Sequence, residues 1–130
     1  MSVIIDGMDQ SKCSLPHLKR LNKSSVNLWK LRTHITGVIV HGYGSTSYVD
    51  YLQWPHDPNM TINVLLRVLV EYLPKLASRG SLPRKLAVQI DNCVRENKNK
   101  FVLSFLALLV ELGVFEEVRE VYVLITTQRY

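Results

Sequence analysis

Ile62, Leu65, Leu66, Leu69, Leu73 and Leu76 recur at spacings of three and four, a pattern that gathers on one side only in a helix. On either side of this segment the period changes. Upstream, Leu31 to His41 is rich in β-branched residues (Thr33, Ile35, Thr36, Val38, Ile39, Val40), and Ser47 to Trp54 follows Gly42-Tyr43-Gly44. Two such runs around a glycine-containing turn predict a β-hairpin. Downstream, Lys85 to Ile90 predicts a strand ending at Asp91, and Val118 to Thr127 predicts another, with Val121, Val123 and Ile125 on one side. Val3-Ile4-Ile5, ended by Asp6-Gly7, predicts the first strand of the chain. A second helix is expected from about Val94 to Leu112, with Gly113 placed to terminate it. The order strand, strand, strand, helix, strand, helix, strand can bury both kinds of apolar surface only by laying helices on a sheet. A hairpin followed by αβαβ makes that sheet mixed.

The connectors are equally legible. Pro55-His56-Asp57-Pro58-Asn59 is a turn cluster, after which Asn59 or Thr61 is placed to cap the first helix. Pro74 is expected to kink or end that helix. Gln10 to Asn27 is polar and basic and contains Pro16, which predicts a loop. The apolar run from Phe101 to Val110, broken by Ser104, is too short to span a bilayer and predicts a buried helix. No membrane partner is therefore expected.

One domain accommodates 130 residues, of which 47% are hydrophobic and 21% charged. A formal charge of +5 permits contact with nucleic acid without requiring it. Cys13 and Cys93 form no CxxC pair, which predicts free thiols in a reducing, intracellular compartment. His17, His34, His41 and His56 show no zinc-like spacing with a cysteine, so hydrogen-bonding roles are expected. Neither familiar glycine-rich phosphate loop occurs, which argues against a nucleotide enzyme and against a small-molecule cofactor. No signal peptide opens the chain, and a strand starting almost at Met1 predicts that upstream sequence has been lost.

Right-handed crossovers would set the strand ending at Asp91 beside the strand ending at Asp6. Sites in open α/β sheets gather at the carboxyl ends of such neighbours. Two carboxylates that close repel unless a cation sits between them. Mg²⁺ prefers oxygen ligands and needs few carboxylates, and paired ions clamp the attacking and leaving oxygens of a phosphodiester. The pair Asp6 and Asp91 thus suits phosphoryl transfer. Aspartate is also a common turn residue, and spacing alone favours that simpler role.

Several stretches carry a resemblance that covers essentially the whole chain. They are Ile4-Ile5-Asp6-Gly7-Met8-Asp9-Gln10 with Lys12, Leu15-Pro16-His17, Thr36-Gly37-Val38 to His41-Gly42, and Gln53-Trp54-Pro55-His56-Asp57-Pro58-Asn59. Gln89-Ile90-Asp91-Asn92-Cys93 to Glu96-Asn97-Lys98-Asn99 is the most specific, and Leu109 to Phe115 also fits. With these the chain resembles a transposon-derived domain family of largely uncharacterised function, similar to transposases and integrases with the ribonuclease-H-like fold. The resemblance implies a five-stranded mixed sheet in the order β-β-β-α-β-α-β with helices packed on it. It implies Asp6 and Asp91 as catalytic metal ligands, Mg²⁺ or Mn²⁺ as cofactor, DNA as partner and the nucleus as place of action. Such nucleases take a third acidic residue from a later helix. Family members follow the fifth strand with a Gly-His-Thr segment and nearby acids, where this chain reads Ile125-Thr126-Thr127-Gln128-Arg129-Tyr130 and stops. A single domain over residues 1–130, truncated and lacking the C-terminal helix, is therefore expected, inactive by itself.

Other residues have two readings each. Asp9 is placed to assist a metal or to sit in an exposed loop. Glu96 neighbours the site or serves the helix N-terminus. Asn92, Asn97 and Asn99 bind phosphate or cap the helix. Lys12, Lys19, Arg20 and Lys23 contact a DNA backbone or form a solvated loop. Tyr48, Tyr51 and Trp54 are better explained by strand packing than by base stacking. The competing function is a non-catalytic module that binds nucleic acid or protein, with self-association through a sheet face left uncovered.

Overall fold

The computed structural model describes residues 1–9, 13–16, 29–51, 55, 57–80, 82–91, 93 and 97–123, with only the backbone described at Tyr122 and Val123. The elements are β1 (Ser2–Gly7), β2 (His34–Val40), β3 (Gly44–Asp50), α1 (Pro58–Ala77), β4 (Lys85–Asp91), α2 (Lys100–Glu111) and β5 (Glu117–Val123). The expected order of three strands, helix, strand, helix, strand is present. The strands form one sheet in the order β3-β2-β1-β4-β5. β2 runs antiparallel to both β1 and β3, while β4 is parallel to β1 and to β5. The sheet is therefore mixed.

Alternation along the strands separates two faces. Val3 and Ile5 of β1, Val38 and Val40 of β2, and Leu86, Val88 and Ile90 of β4 are buried. Their neighbours Ile4, Asp6, Ile39, Gln89 and Asp91 are half-buried or exposed. The buried residues form one core with Val64, Leu65, Val68, Leu69 and Tyr72 of α1, Val102, Leu106 and Leu109 of α2, and Phe115. Both helices thus serve one face of the sheet, and the aspartates project on the other.

Several boundaries differ from the sequence expectations. α1 is capped by Asp57, whose carboxylate accepts from the backbone N–H groups of Asn59 and Met60, with Pro58 in the first turn. Asp57 takes the cap because proline is favoured at the position just after it. Pro74 lies inside α1 and does not end it. The apolar stripe is centred on Val64, Leu65, Val68, Leu69, Tyr72 and Leu76, and Leu66 is exposed. α2 starts at Lys100, capped by Asn99 through the N–H groups of Phe101 and Val102. β3 spans Gly44–Asp50, earlier than expected, because Gly42 and Gly44 have positive φ and close the turn at once. α2 is a correction of another kind. It buries only Val102, Leu106 and Leu109, while Phe101, Leu103, Leu108 and Leu112 are exposed. One layer of helices leaves its outer side in solvent. Gly113, at φ 69, ends α2 as expected. β5 is described to Val123, so the Leu124–Thr127 part of the expected strand lies outside the described residues. Among the described residues no helix is long and apolar enough to cross a membrane.

Candidate functional site

The two aspartates meet through strand register. β1 and β4 pair in parallel with Ile5 opposite Ile90. Each of these isoleucines immediately precedes an aspartate, so Asp6 and Asp91 share the next position across neighbouring strands, whose axes are about 4.8 Å apart. Both are exposed, on the face away from the helices. On its other side Asp6 pairs with Gly37 of β2, and Gly37 pairs in turn with Ser47 of β3. A Cβ on Gly37 would lie 3.8 Å from the Asp6 carbonyl oxygen. The glycine therefore leaves the space beside the carboxylate clear of any side chain from β2.

Asn97 supports the Asp91 end of the site. Its side-chain amide donates to the Asp91 carbonyl at 3.3 Å, and its side-chain oxygen accepts from Thr61 Oγ1 of α1 at 2.8 Å. The Asp6 end is held by Met8, whose N–H donates to the Ile35 carbonyl at 2.8 Å. Beyond it, Cys13 Sγ lies 3.2 Å from the Asp9 carbonyl oxygen, and Thr33 Oγ1 donates to the Cys13 carbonyl. Cys13 is buried, and both Cys13 and Cys93 are free thiols.

The donor set can be tested against a divalent ion. Mg²⁺ binds through one or two carboxylates and completes its octahedron with water and substrate phosphate oxygens. Two adjoining exposed aspartates fit that requirement. Among the described residues no group of three His, Cys, Asp or Glu side chains is placed to hold a metal. Asn92, Glu96, Lys12, Lys19, Arg20 and Lys23 lie outside the described residues. Of the asparagines expected to cap or bind, Asn99 caps α2, and Asn97 instead bridges β4 to α1.

A second feature lies at the same end of the sheet. A pocket of about 700 Å³ opens where β3 meets the first turns of α1, lined by Tyr48, Val49, Asp50, Tyr51, Pro55, Asp57, Asn59, Met60, Asn63, Val64 and Arg67. Asn59, Asn63 and Arg67 follow one another at four-residue spacing and form a polar ridge along α1. Asp50 is buried, with its Oδ2 3.4 Å from Nδ1 of buried His34 across the β2–β3 pair. The Tyr48 phenol is held above its ordinary range, first by burial and then by the Glu71 carboxylate, with Arg67 opposing. It keeps its proton and can donate. Sequence reasoning assigned Tyr48 and Tyr51 to strand packing and gave Arg67 no role. The four-residue spacing was visible in sequence, but the facing strand end was not.

Fold and site together define a mixed α/β domain with paired carboxylates at the carboxyl ends of adjoining parallel strands. The chain belongs to the family described as Domain of unknown function (DUF7869), which matches residues 23–126. No curated protein and no solved structure matches it significantly.

Proposed function

We propose that this chain is a ribonuclease-H-like domain of the transposase/integrase type, whose reaction is metal-dependent cleavage and joining of DNA strands. The observation that carries the reading is the shared register position of Asp6 and Asp91 in a sheet ordered β3-β2-β1-β4-β5 with β2 antiparallel. On this reading Asp6 and Asp91 hold Mg²⁺ or Mn²⁺, which when bound supplies charge to the reacting phosphate oxygens. Gly37 leaves room beside Asp6 for the strand, and Asn97 positions the Asp91 main chain. The basic residues Lys12, Lys19, Arg20 and Lys23 contact the DNA backbone, and the protein acts in the nucleus. The two described carboxylates leave most of the ion's coordination to water and phosphate oxygens, so weak binding is expected.

Mn²⁺ binding followed by electron paramagnetic resonance tests the pair without relying on turnover. Bound Mn²⁺ is expected in the unsubstituted protein and is expected to be lost in Asp6→Asn and in Asp91→Asn. Binding that survives both substitutions sinks the assignment. Incubation with labelled DNA and Mg²⁺ or Mn²⁺ is expected to give little cleavage. Robust cleavage abolished by either substitution would show a competent enzyme and overturn the expectation of weak activity.

A second reading, a non-catalytic protein-binding module, is favoured by exposed apolar side chains on α2 and its C-cap (Phe101, Leu108, Leu112) and on the open sheet face (Ile39, Val49, Val121). Sedimentation velocity would show self-association under that reading, reduced in Leu108→Gln or Val121→Thr.

A further inference from the structure

We propose that the pocket between β3 and α1 binds an unpaired nucleobase, making this end of the sheet a site for single-stranded nucleic acid. Its volume of about 700 Å³ falls within the range of about 300–1,000 Å³ that small-molecule and cofactor sites occupy. Its lining combines two phenol rings, Tyr48 and Tyr51, with an apolar floor from Pro55, Met60 and Val64. A flat aromatic ligand finds stacking partners there, whichever base it is. Asn59 and Asn63 offer both donors and acceptors, as the edge of a base requires.

The electrostatics favour a base in the pocket and its phosphate at the rim. Two carboxylates line the cavity, and each has an internal partner. Asp57 caps α1, and Asp50 stands against His34. Arg67, the cation among the described lining residues, lies on the exposed surface of α1, two turns beyond Asn59. A phosphate would be repelled from the interior, near two acids, and attracted to Arg67.

The position is consistent with strand binding. β3 is parallel to β1 through the antiparallel β2, so the pocket lies at the same end of the sheet as Asp6, on the helix side, whereas the aspartates project from the opposite face. Two strand spacings, about 10 Å, separate β3 from β1. Asn97 bonds the Asp91 carbonyl and also Thr61 of α1, which lies two residues from Asn59 and two from Asn63 and so on another side of that helix. The pocket depends on the preceding reading only in expecting nucleic acid as the partner. Its binding requires no cleavage and no metal.

The test is fluorescence anisotropy with labelled 12-nucleotide DNA and RNA single strands and the corresponding DNA duplex, in buffer containing chelator. Single strands are expected to bind about tenfold or more tightly than the duplex. Tyr51→Ala and Asn63→Ala, both at exposed positions, should each weaken single-strand binding about fivefold or more, with Tyr51→Trp restoring it. Arg67→Ala should lower the slope of log affinity against log salt by about one. The melting temperature and circular dichroism of each variant show that it is folded. The DNA and RNA arms separate the two sources of an unpaired base. Equal or tighter duplex binding overturns the proposal, as does no binding, or single-strand binding unchanged in Tyr51→Ala and Asn63→Ala. Single-strand binding retained in Asp6→Asn and Asp91→Asn, with no Mn²⁺ bound by the unsubstituted protein, would leave the pocket standing while the nuclease reading fails. Loss of binding in the aspartate variants alone would move the binding site away from the pocket.

Discussion

The side-chain amide of Asn97 donates to the main-chain carbonyl of Asp91, tying the loop after β4 to the strand end that carries an aspartate of the candidate site. The same side chain accepts from Thr61 Oγ1, so one asparagine joins β4, the following loop and the first turns of α1. A net hydrogen bond of this kind contributes about 0.5–1.5 kcal/mol. Asn97→Ala removes both bonds and is expected to lower stability by about 1–2 kcal/mol. Thr61→Val should cost less. Because the two residues share one network, the double substitution should cost less than the sum. Urea unfolding of the four proteins checks this, and strict additivity would mean the bridge is not formed in solution.

Asp6 and Asp91 occupy adjoining register positions on one face, and like charges placed opposite one another cost about 0.2–1 kcal/mol. Replacing either by asparagine is therefore expected to raise the melting temperature of the metal-free protein slightly. Under the proposed function, Mg²⁺ or Mn²⁺ should raise the melting temperature of the unsubstituted protein, since a ligand at a hundred times its dissociation constant adds about 2.7 kcal/mol. That rise should vanish in both variants. A metal-induced shift of equal size in Asp6→Asn would assign the ion to another place.

His34 and Asp50 are 9% and 7% exposed and face each other across β2 and β3. Removing one member leaves the other in a poorly solvated position, which costs about 1–3 kcal/mol. His34→Leu and Asp50→Leu should each destabilise by that order. The double variant should recover part of the loss, because no buried polar partner is then stranded. A thermodynamic cycle from chemical denaturation measures the coupling, and a coupling of zero would rule the pair out as a unit.

Glu117 is flanked by Lys85 Nζ at 2.6 Å and by the Arg119 guanidinium, and bonds from these two hold its carboxyl below the usual value of 4.5. A carboxylate with a lowered folded-state value adds stability above its unfolded value. That contribution is lost as pH falls through the lowered one. The melting temperature should accordingly decline below about pH 4.5 less steeply in Glu117→Gln than in the unsubstituted protein. Solvent exposure keeps the difference small, and added salt should shrink it further. An identical acid profile in the variant would mean the cluster is not formed in solution.

Asp57 and Asn99 each accept two backbone N–H groups at the start of a helix. Loss of such a cap costs about 0.5–2 kcal/mol. Asp57→Ala and Asn99→Ala should each fall in that range, with Asp57→Asn close to neutral. Denaturant midpoints decide the matter, and an unchanged midpoint in either alanine variant would show that helix to be capped differently.

Element types and their order were legible in the chain because they rest on local periodicity. The four-residue rhythm from Ile62 to Leu76 can belong only to a helix, and the β-branched run around Val38 to Val40 suits a pleat. Boundaries were less legible, since caps compete over a single residue. Asp57 prevailed over Asn59 and Thr61 because Pro58 follows it, and Asn99 set the start of α2 six residues later than apolarity suggested. The two aspartates were visible as strand ends, and handedness alone suggested that they would adjoin. What only the tertiary structure decided was lateral: that Ile5 faces Ile90, that Gly37 stands beside Asp6, that Asn97 bridges β4 to α1, and that Tyr48 and Tyr51 meet Asn63 and Arg67 around one pocket. These relations join residues up to 85 positions apart. Local periodicity sets which way a side chain points along its own element. Which partner it then meets is set by the packing of whole elements, where burial of the shared apolar core outweighs any single polar contact.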